Sequence, residues 1–300
     1  MQPLMPSIPA PSERQAMDWS LVLASQGIET IIDRDAEAGT WQLRVQDPDY
    51  SPALRAIRQY LTENKARRWQ QELPYSDLIL DWRSVVPMLF LVLLHAVQVT
   101  GRAPLHAVGM MSTKAVLAGE WWRLLTAVSL HSDASHLAAN ATTGLLMVGL
   151  AMGAYGPGIG LLAPFLAGVI GNLAGLAFYG PNHLGLGASG MVMGAIGLLA
   201  AQSTILFRRG LAPRYLAVRS VLSGCFLLLL LGFSPEEHVD ILAHVAGFVS
   251  GLGLGALLAW SPDRVLRSAR WNGIAGLATA ALLLGPWWLA LRQGAPLPIK

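Results

Sequence analysis

Long apolar stretches separated by short polar connections dominate the sequence from about residue 84 onward. An α-helix needs about 20 predominantly apolar residues to cross the hydrocarbon core of a bilayer. The segment 101–134 is long and semi-polar, so we predict that it lies partly in the membrane interface and does not form a span. The apolar stretches predict seven membrane-spanning helices, at about 84–100, 135–154, 158–178, 187–207, 216–234, 239–260 and 272–292.

The pattern before residue 84 is that of a small soluble domain and a linker. Residues 1–11 contain four prolines and are expected to form a disordered tail. Ser12 and Gln15 fit a capping box at the start of a helix. Alternating and β-branched residues then predict two short strands. In chain order the predicted elements are a helix at 13–26, a strand at 28–34, a turn at 35–39, a strand at 41–45 and a helix from Pro52 to 64 with Ser51 as its N-cap.

These patterns divide the chain into domains. The α+β domain has the order αββα and contains no clustered histidine, cysteine or carboxylate residues, which favours a regulatory or packing role. The fold class is otherwise an all-α polytopic membrane protein. The predicted parts are the tail at 1–11, a cytosolic α+β domain at 12–66, a linker at 67–83, a six-span core at 84–260 and a connection with a C-terminal seventh span at 261–300.

Composition supports a protein embedded in a lipid bilayer. Of the 300 residues, 53% are hydrophobic and 13% are charged, and the mean hydropathy is +0.47. Soluble domains average about 25% charged residues. The net charge of +3 is too small to indicate a nucleic-acid partner, and the single cysteine, Cys225, excludes an internal disulfide. The first 80 residues contain no signal-peptide h-region, so we expect a cytoplasmic N-terminus.

Arginine residues predict the orientation in the membrane, because cytoplasmic loops carry an excess of Lys and Arg. The connection between the fifth and sixth spans has Glu236, Glu237 and Asp240 and no basic residue. We therefore expect a multi-pass protein of a bacterial inner membrane with its C-terminus outside. The arginines that mark cytoplasmic connections are Arg208, Arg209, Arg214 and Arg219 after the fourth span, and Arg264, Arg267 and Arg270 after the sixth.

Polar side chains occur at the same predicted depth in three spans. In this topology the second, fourth and sixth spans all run from outside to inside. His136 and Asn140 lie in the first turns of the second, Ser189 in the first turn of the fourth, and His244 one to two turns into the sixth. Residues four apart share a helix face, and strongly polar groups within spans usually face a bundle interior or a cavity. The sequence therefore predicts one polar site in the outer half of the bilayer.

Glycine residues predict close packing of the fourth and sixth spans. Small residues at a spacing of four let helix backbones approach each other. By themselves such glycines are packing devices, but here they would bring Ser189 and His244 within hydrogen-bond reach. They are Gly187, Gly190, Gly194 and Gly197 on the fourth span, and Gly247, Gly251 and Gly255 on the sixth.

A serine beside a histidine predicts nucleophilic catalysis. A serine hydroxyl is a poor nucleophile until a base removes its proton, so we assign Ser189 as nucleophile and His244 as base and later acid. Asp240, the nearest carboxylate on the same helix, is one turn closer to the outer surface and expected to be solvated, which favours a dyad over a triad. The N–H of Ser189 at a helix N-terminus, with the side chains of His136 and Asn140, would stabilise the oxyanion.

Two other hydrolase classes do not fit these residues. The soluble-hydrolase elbow needs a glycine two places after the serine, where this chain has Met191. No His-Glu-x-x-His motif occurs, and His131 and His136 are five residues apart, a poor pair for one metal on a helix. We therefore predict no metal and no other cofactor.

Four short motifs occur between the first and sixth predicted spans. They are Trp122-Arg123, His-x-x-x-Asn from His136 to Asn140, Gly-x-Ser-Gly from Gly187 to Gly190, and Ala-His-x-x-Gly-x-x-x-Gly from Ala243 through Gly247 to Gly251. In this order and on these spans, the motifs resemble those of the rhomboid family of intramembrane serine proteases, over about Ser84 to Trp260. The resemblance implies a six-helix catalytic core that cleaves transmembrane substrates, with Ser189 as nucleophile, His244 as base, and His136 and Asn140 at the oxyanion.

The resemblance also implies a structural role for Trp122-Arg123, and the chain departs from the family pattern at Met193. Trp122-Arg123 is similar to the family's loop anchor, whereas composition alone predicts that Arg123 is an interfacial residue with a snorkelling side chain. The seventh span implies a six-plus-one form, and the α+β domain is similar in size and pattern to the cytosolic domain of some bacterial members. Met193, four residues after the serine, stands where several members carry a tyrosine against the catalytic histidine.

Two alternative functions fit parts of this pattern. A non-catalytic rhomboid-like binder of membrane helices usually lacks the serine or the histidine, and this chain has both. A transporter that uses His136, Asn140 and His244 as an ion path predicts polar residues near the midplane and an internal repeat, and the sequence shows neither. An active protease acting on single-span proteins is therefore the favoured prediction.

Overall fold

The computed structural model describes residues 5–34, 40–64, 80–101, 103–208, 214–233 and 240–293. The predicted turn at 35–39, most of the predicted linker, and Arg209, Glu236 and Glu237 lie outside these residues. Two compact units divide the chain, at Met1–Glu72 and Leu73–Lys300.

The first unit is a three-stranded antiparallel sheet with two helices. Its strands pair in the order β1-β3-β2, and Leu23, Leu43 and Val45 lie fully buried in its core. Ser12 caps the first helix by accepting a hydrogen bond from Gln15 N (3.3 Å), as the capping-box pattern predicts. The elements are β1 (Ser7–Ala10), α1 (Glu13–Ser25), β2 (Ile31–Arg34), β3 (Trp41–Arg44) and α2 (Tyr50–Asn64).

Two predictions for this unit are wrong. The expected disordered tail contains β1, because Ile8 and Ala10 alternate into the core while Pro9 is tolerated in an edge strand. The order is therefore βαββα and not αββα. The second helix begins at Tyr50, after a 3-10 turn at Asp47–Asp49, so Ser51 lies inside the helix and is not its N-cap.

The second unit is almost entirely helical, with a helix at each of the seven predicted positions. The long helices are α3 (Val85–Val99), α7 (Ala134–Tyr155), α8 (Ile159–Phe178), α9 (Ser189–Arg208), α10 (Arg214–Gly232), α11 (Ile241–Leu258) and α13 (Ala269–Gln293). The short elements are α4 (Leu105–Gly109), β4 (Met111–Ser112), α5 (Thr113–Leu117), α6 (Arg123–Thr126), β5 (Leu184–Gly185) and α12 (Asp263–Leu266).

Six of the described helices are long and apolar enough to cross a membrane. The helix that carries Ser189, α9, runs over 20 residues to Arg208, and its part Ser189–Ser203 is apolar. The six candidates are Trp82–Val99, Ala134–Tyr155, Ile159–Phe178, Arg214–Gly232, Ile241–Leu258 and Ala269–Gln293.

Helix α9 lies at the centre of the second unit. It packs against α7, α8, α10 and α11, and its contacts with α11 are the most extensive. Met191, Ile196 and Leu198 are buried on different faces of it. A helix that is apolar and covered all round belongs to a protein core. The fold therefore surrounds the helix that begins at the candidate nucleophile.

Glycines bring α9 and α11 into backbone contact. A Cβ placed on Gly247 would lie 3.1 Å from Gly190 C and Cα, and one on Gly251 would lie 2.7 Å from the same atoms of Gly194. Ordinary contact begins at 3.4 Å, so neither position has room for a side chain. The prediction of close glycine packing between these helices is confirmed.

Candidate active site

A tight loop places Ser189 at the first position of α9. Strand β5 pairs with β4, and Gly187 N donates to Ala127 O (2.9 Å) just before the helix begins. Gly187 has φ of 128°, a conformation that L side chains rarely adopt. The chain can therefore turn from an extended strand into a helix within a few residues. Ser189 lies half-buried at that helix N-terminus, where backbone N–H groups and the helix dipole favour negative charge.

His244 lies in the first turn of α11, and its ring is held by a backbone carbonyl. Its side chain is 6% exposed, and Nδ1 donates to Gly232 O at 2.7 Å. A carbonyl oxygen only accepts hydrogen bonds, so Nδ1 carries the proton and Nε2 keeps its lone pair. This tautomer has the lone pair that a general base needs. Gly232, the last residue of α10, has no sequence signal for this role, because its carbonyl and not its side chain is used.

Glycine packing sets the register between the two helices. Gly190 faces Gly247, and Gly194 faces Gly251. Carrying this register back by three residues places His244 level with Gly187, beside the first turn of α9. Ser189 Oγ makes no hydrogen bond within the part of the chain that the structure describes. Catalytic hydrogen bonds in substrate-free enzymes are often long and tighten only when substrate binds.

His136 lies on the other side of the same loop. A point beside Gly187, where a Cβ would stand, is 2.9 Å from His136 Nε2 and 3.7 Å from Ser189 Oγ. The imidazole of His136 and the serine hydroxyl therefore both lie close to Gly187, and any side chain at position 187 would collide with the imidazole. Asn140 is one turn further along α7 and is buried, with Nδ2 donating to His136 O at 3.0 Å. One amide hydrogen is used in this way and the second is left for another acceptor.

Hydrogen bonds at the start of α7 orient the ring of His136. Asp133 caps the helix by accepting from His136 N (2.9 Å), and hydrogen bonds from Ser135 and Ser132 hold the pKa of Asp133 well below its usual range. Ser132 Oγ donates to Asp133 Oδ2 (2.7 Å), so it accepts from His136 Nδ1 at 3.0 Å. In the neutral ring this leaves Nε2, the nitrogen that faces Gly187, as an acceptor.

A second histidine, His131, supports His136 from the protein interior. The two rings meet edge to face with centroids 5.2 Å apart. His131 is fully buried, and neither of its ring nitrogens has a hydrogen-bond partner among the described residues. Burial lowers its pKa to about 3, and the nearby His136 acts in the same direction. His131 is therefore a neutral packing residue beside the site. The sequence analysis considers it only as one half of a poor metal-binding pair.

Trp122 and Arg123 lie inside the fold and not at an interface. Arg123 is fully buried, so the composition-based prediction of a snorkelling side chain is wrong. Its guanidinium donates to Ala107 O (3.0 Å), to Met110 O (2.9 Å) and to Glu120 Oε2 (2.7 Å). The guanidinium charge can be buried because two carbonyl oxygens and one carboxylate accept its hydrogen bonds. Trp122 packs in a cluster with Trp287 of α13.

The surroundings of two further residues, Met193 and Asp240, could not be predicted from sequence motifs. Met193 is buried, and a point beside Gly232 lies 3.6 Å from both Met193 Sδ and His244 Nδ1. The Met193 thioether and the His244 ring therefore both lie near the end of α10. Asp240 was expected to be solvated, but it accepts hydrogen bonds from Ala243 N (2.9 Å) and Tyr179 OH (3.2 Å) and lies 3.2 Å from His183 Nε2. The expectation for Asp240 is wrong because the strand before Ser189 brings His183 to it.

The known proteins that resemble this chain are all described as rhomboid or rhomboid-like. The family model for the rhomboid domain matches residues 118–261. Rhomboid protease GluP of Bacillus subtilis is 32% identical over 163 residues, which cover 53% of this chain and 30% of that protein. The putative rhomboid protease YdcA of the same organism is 27% identical over 146 residues, 49% of this chain and 71% of that protein. RHOMBOID-like protein 4 of Arabidopsis thaliana is 32% identical over 161 residues, covering 53% of this chain and 39% of that protein.

Proposed function

Because this chain belongs to the rhomboid family, we propose that it is an intramembrane protease in which Ser189 and His244 form a catalytic dyad. It is an integral multi-pass membrane protein. The observation that carries the proposal is the hydrogen bond from His244 Nδ1 to Gly232 O. It leaves Nε2 as a base on a helix that packs backbone to backbone against the helix beginning at Ser189.

The chemistry proceeds through an acyl-enzyme. His244 Nε2 takes the proton of Ser189 Oγ as the oxygen attacks the scissile carbonyl carbon, and a tetrahedral oxyanion forms. The resulting imidazolium returns the proton to the amine of the leaving peptide as the C–N bond breaks. Water then attacks the ester with His244 again as base, which releases the carboxylic acid and regenerates the serine.

Donors for the oxyanion come from two elements. The N–H of Ser189 lies at the N-terminus of α9, and the second amide hydrogen of Asn140 comes from α7. His136 can donate from Nε2 only as an imidazolium, because its Nδ1 proton is bound to Ser132. Removing one such donor typically costs about 100- to 1,000-fold in kcat. The absence of a side chain at Gly187 leaves room for His136 at the loop before Ser189.

The direction of α9 supports a site in the outer half of the membrane. The helix runs Ser189–Arg208, and at about 1.5 Å per residue its 20 residues match a hydrocarbon core about 30 Å thick. We place the N-terminus in the cytoplasm, because Arg214 and Arg219 mark the connection after α9 as cytoplasmic. Ser189 then lies in the outer half of the bilayer. The proposed substrates are single-span membrane proteins cut near their outer ends.

Cleavage of a single-span reporter in proteoliposomes tests this proposal. Wild type, Ser189→Ala and His244→Ala are compared, with Gly253→Ala as a matched control because a Cβ there meets nothing within 4 Å. We expect cleavage by wild type and Gly253→Ala and none by the two dyad variants. Equal cleavage by all four proteins, or cleavage by none of them with a panel of reporters, would contradict the proposal and favour a non-catalytic binder.

A further inference from the structure

A second histidine–carboxylate pair lies one helical turn before His244. Asp240 Oδ2 is 3.2 Å from His183 Nε2, while Asp240 Oδ1 accepts hydrogen bonds from Tyr179 OH (3.2 Å) and Ala243 N (2.9 Å). Only 18% of the His183 side chain and 21% of the Asp240 side chain are exposed. Both side chains are therefore largely removed from water, and a contact between them is screened less than one on an open surface.

Both partners are fixed by further contacts. The ring of His183 lies against that of Tyr179, with centroids 4.3 Å apart and the planes tilted by 38°. The backbone carbonyl of His183 accepts a hydrogen bond from Thr113 N at 3.1 Å. Asp240 is the N-cap of α11, and its own carbonyl accepts from His244 N at 3.1 Å. The pair thus connects the end of α8, the chain before β5 and the first turn of α11.

The strand that leads to Ser189 passes directly beside this pair. A point where Gly185 would carry a Cβ lies 3.4 Å from His183 Nε2 and 3.6 Å from Asp240 Oδ2. Strand β5 is held to β4 by only two residue pairs, and a ladder this short fixes its position weakly. A side-chain tie to α11 therefore adds a constraint that the backbone pairing lacks.

We propose that Asp240 and His183, backed by Tyr179, position the catalytic dyad by holding the strand before Ser189 against the helix start that carries His244. This inference rests on the proposed function, since it assigns roles relative to that dyad. The three side chains are positioning residues and do not touch the reacting atoms. Catalysis needs the nucleophile and base held to within about 0.5 Å, so loss of the tie acts on the chemical step and leaves substrate binding unchanged.

Three substitutions separate the contacts of the pair. His183→Phe keeps the ring stacked on Tyr179 but removes the Nε2 donor, and we expect kcat to fall about ten-fold with KM unchanged. Asp240→Asn keeps an acceptor for Ala243 N and Tyr179 OH but removes the charge, and we expect a similar loss. His183→Gln retains an N–H donor and should stay within about three-fold of wild type. The double variant His183→Phe/Asp240→Asn should lose no more than the worse single variant, because both remove one interaction.

Asp81→Asn is the matched control, because Asp81, like Asp240, caps a helix and contacts the nitrogen of another side chain, here Arg83, away from the site. It should leave kcat unchanged. Cleavage of the reporter, the rate at which a fluorophosphonate labels Ser189 and the thermal midpoint are measured for each protein. If wild type cleaves and is labelled but His183→Phe and Asp240→Asn match it, the positioning role is wrong while the dyad stands. If wild type does neither, the proposed function is wrong and this inference falls with it.

Discussion

Adding one methyl group between α9 and α11 should separate the dyad without touching it. A Cβ on Gly251 would lie 2.7 Å from Gly194 C and Cα and closer still to the Gly194 carbonyl oxygen, whereas ordinary contact begins at 3.4 Å. The three atoms nearest to this Cβ all belong to the Gly194 backbone, which cannot rotate away as a side chain can. Gly251→Ala therefore forces the two helices apart by about 1 Å, and overpacking of this kind costs about 1–3 kcal/mol of stability.

The catalytic consequence is larger than the loss of stability. A displacement of about 1 Å between reacting groups can cost about 100-fold in rate, so we expect kcat of Gly251→Ala to fall by about that factor in reporter cleavage in proteoliposomes. Gly253→Ala is on the same helix and meets nothing within 4 Å, so its kcat should match wild type. Its helix should be slightly more stable, because Ala replaces Gly in a helix interior. If the two variants have the same kcat, the glycine register does not set the dyad geometry.

Two further predictions concern the residues that support the site. Lowering the pH from about 7.5 to about 5 should reduce the free energy of unfolding by about 2 kcal/mol through His131, because its folded pKa of about 3 lies below the ordinary histidine pKa of about 6.5 and the unfolded chain binds the extra proton. This contribution to the free energy of unfolding is complete above about pH 6.5 and is lost as the pH falls towards 3. His131→Gln should therefore make the free energy of unfolding in detergent depend less steeply on pH. An equal pH dependence in wild type and His131→Gln would refute the prediction. Arg123→Met should destabilise the protein by about 3–5 kcal/mol, because Glu120 and two backbone carbonyls lose their donor. Glu120→Gln, which keeps an acceptor for Arg123, should cost less, and a thermal midpoint of Arg123→Met equal to that of wild type would show that the prediction is wrong.

The sequence predicts the candidate site well where polar residues stand out against an apolar background. Ser189, His136 and His244 are conspicuous because polar groups are costly in apolar helices. The glycine contact between α9 and α11 is also predictable, since small residues recur at a spacing of four. His136 and Ser189 both lie near Gly187, and the glycine register places His244 on the neighbouring helix, while their catalytic roles stay a prediction.

Features that depend on distant backbone positions could not be predicted in this way. The carbonyl that orients His244 belongs to Gly232, and any residue type has a carbonyl there. Asp240 and His183 are far apart in sequence and meet only because β5 lies beside the start of α11. The apolar run that begins near Gly187 predicted a helix from residue 187, but the positive φ of Gly187 starts α9 only at Ser189.

Strand β1 illustrates a different limit. Proline normally argues against a strand, because it cannot donate to a ladder hydrogen bond. Pro9 lies in an edge strand, while Ile8 and Ala10 are buried against the sheet core. Which strand is at the edge depends on the order of the whole sheet, so the prolines alone led to the wrong prediction.

The most direct test of the account is covalent labelling of the candidate nucleophile. Purified wild type, His244→Ala and Ser189→Ala are treated with a fluorophosphonate, and the modified peptide is identified by mass spectrometry. The account predicts an adduct on Ser189 in wild type, labelling at least about 100-fold slower in His244→Ala because the base is lost, and none in Ser189→Ala. An adduct at another residue, or labelling of wild type and His244→Ala at equal rates, would contradict the assignment of Ser189 and His244 as the dyad.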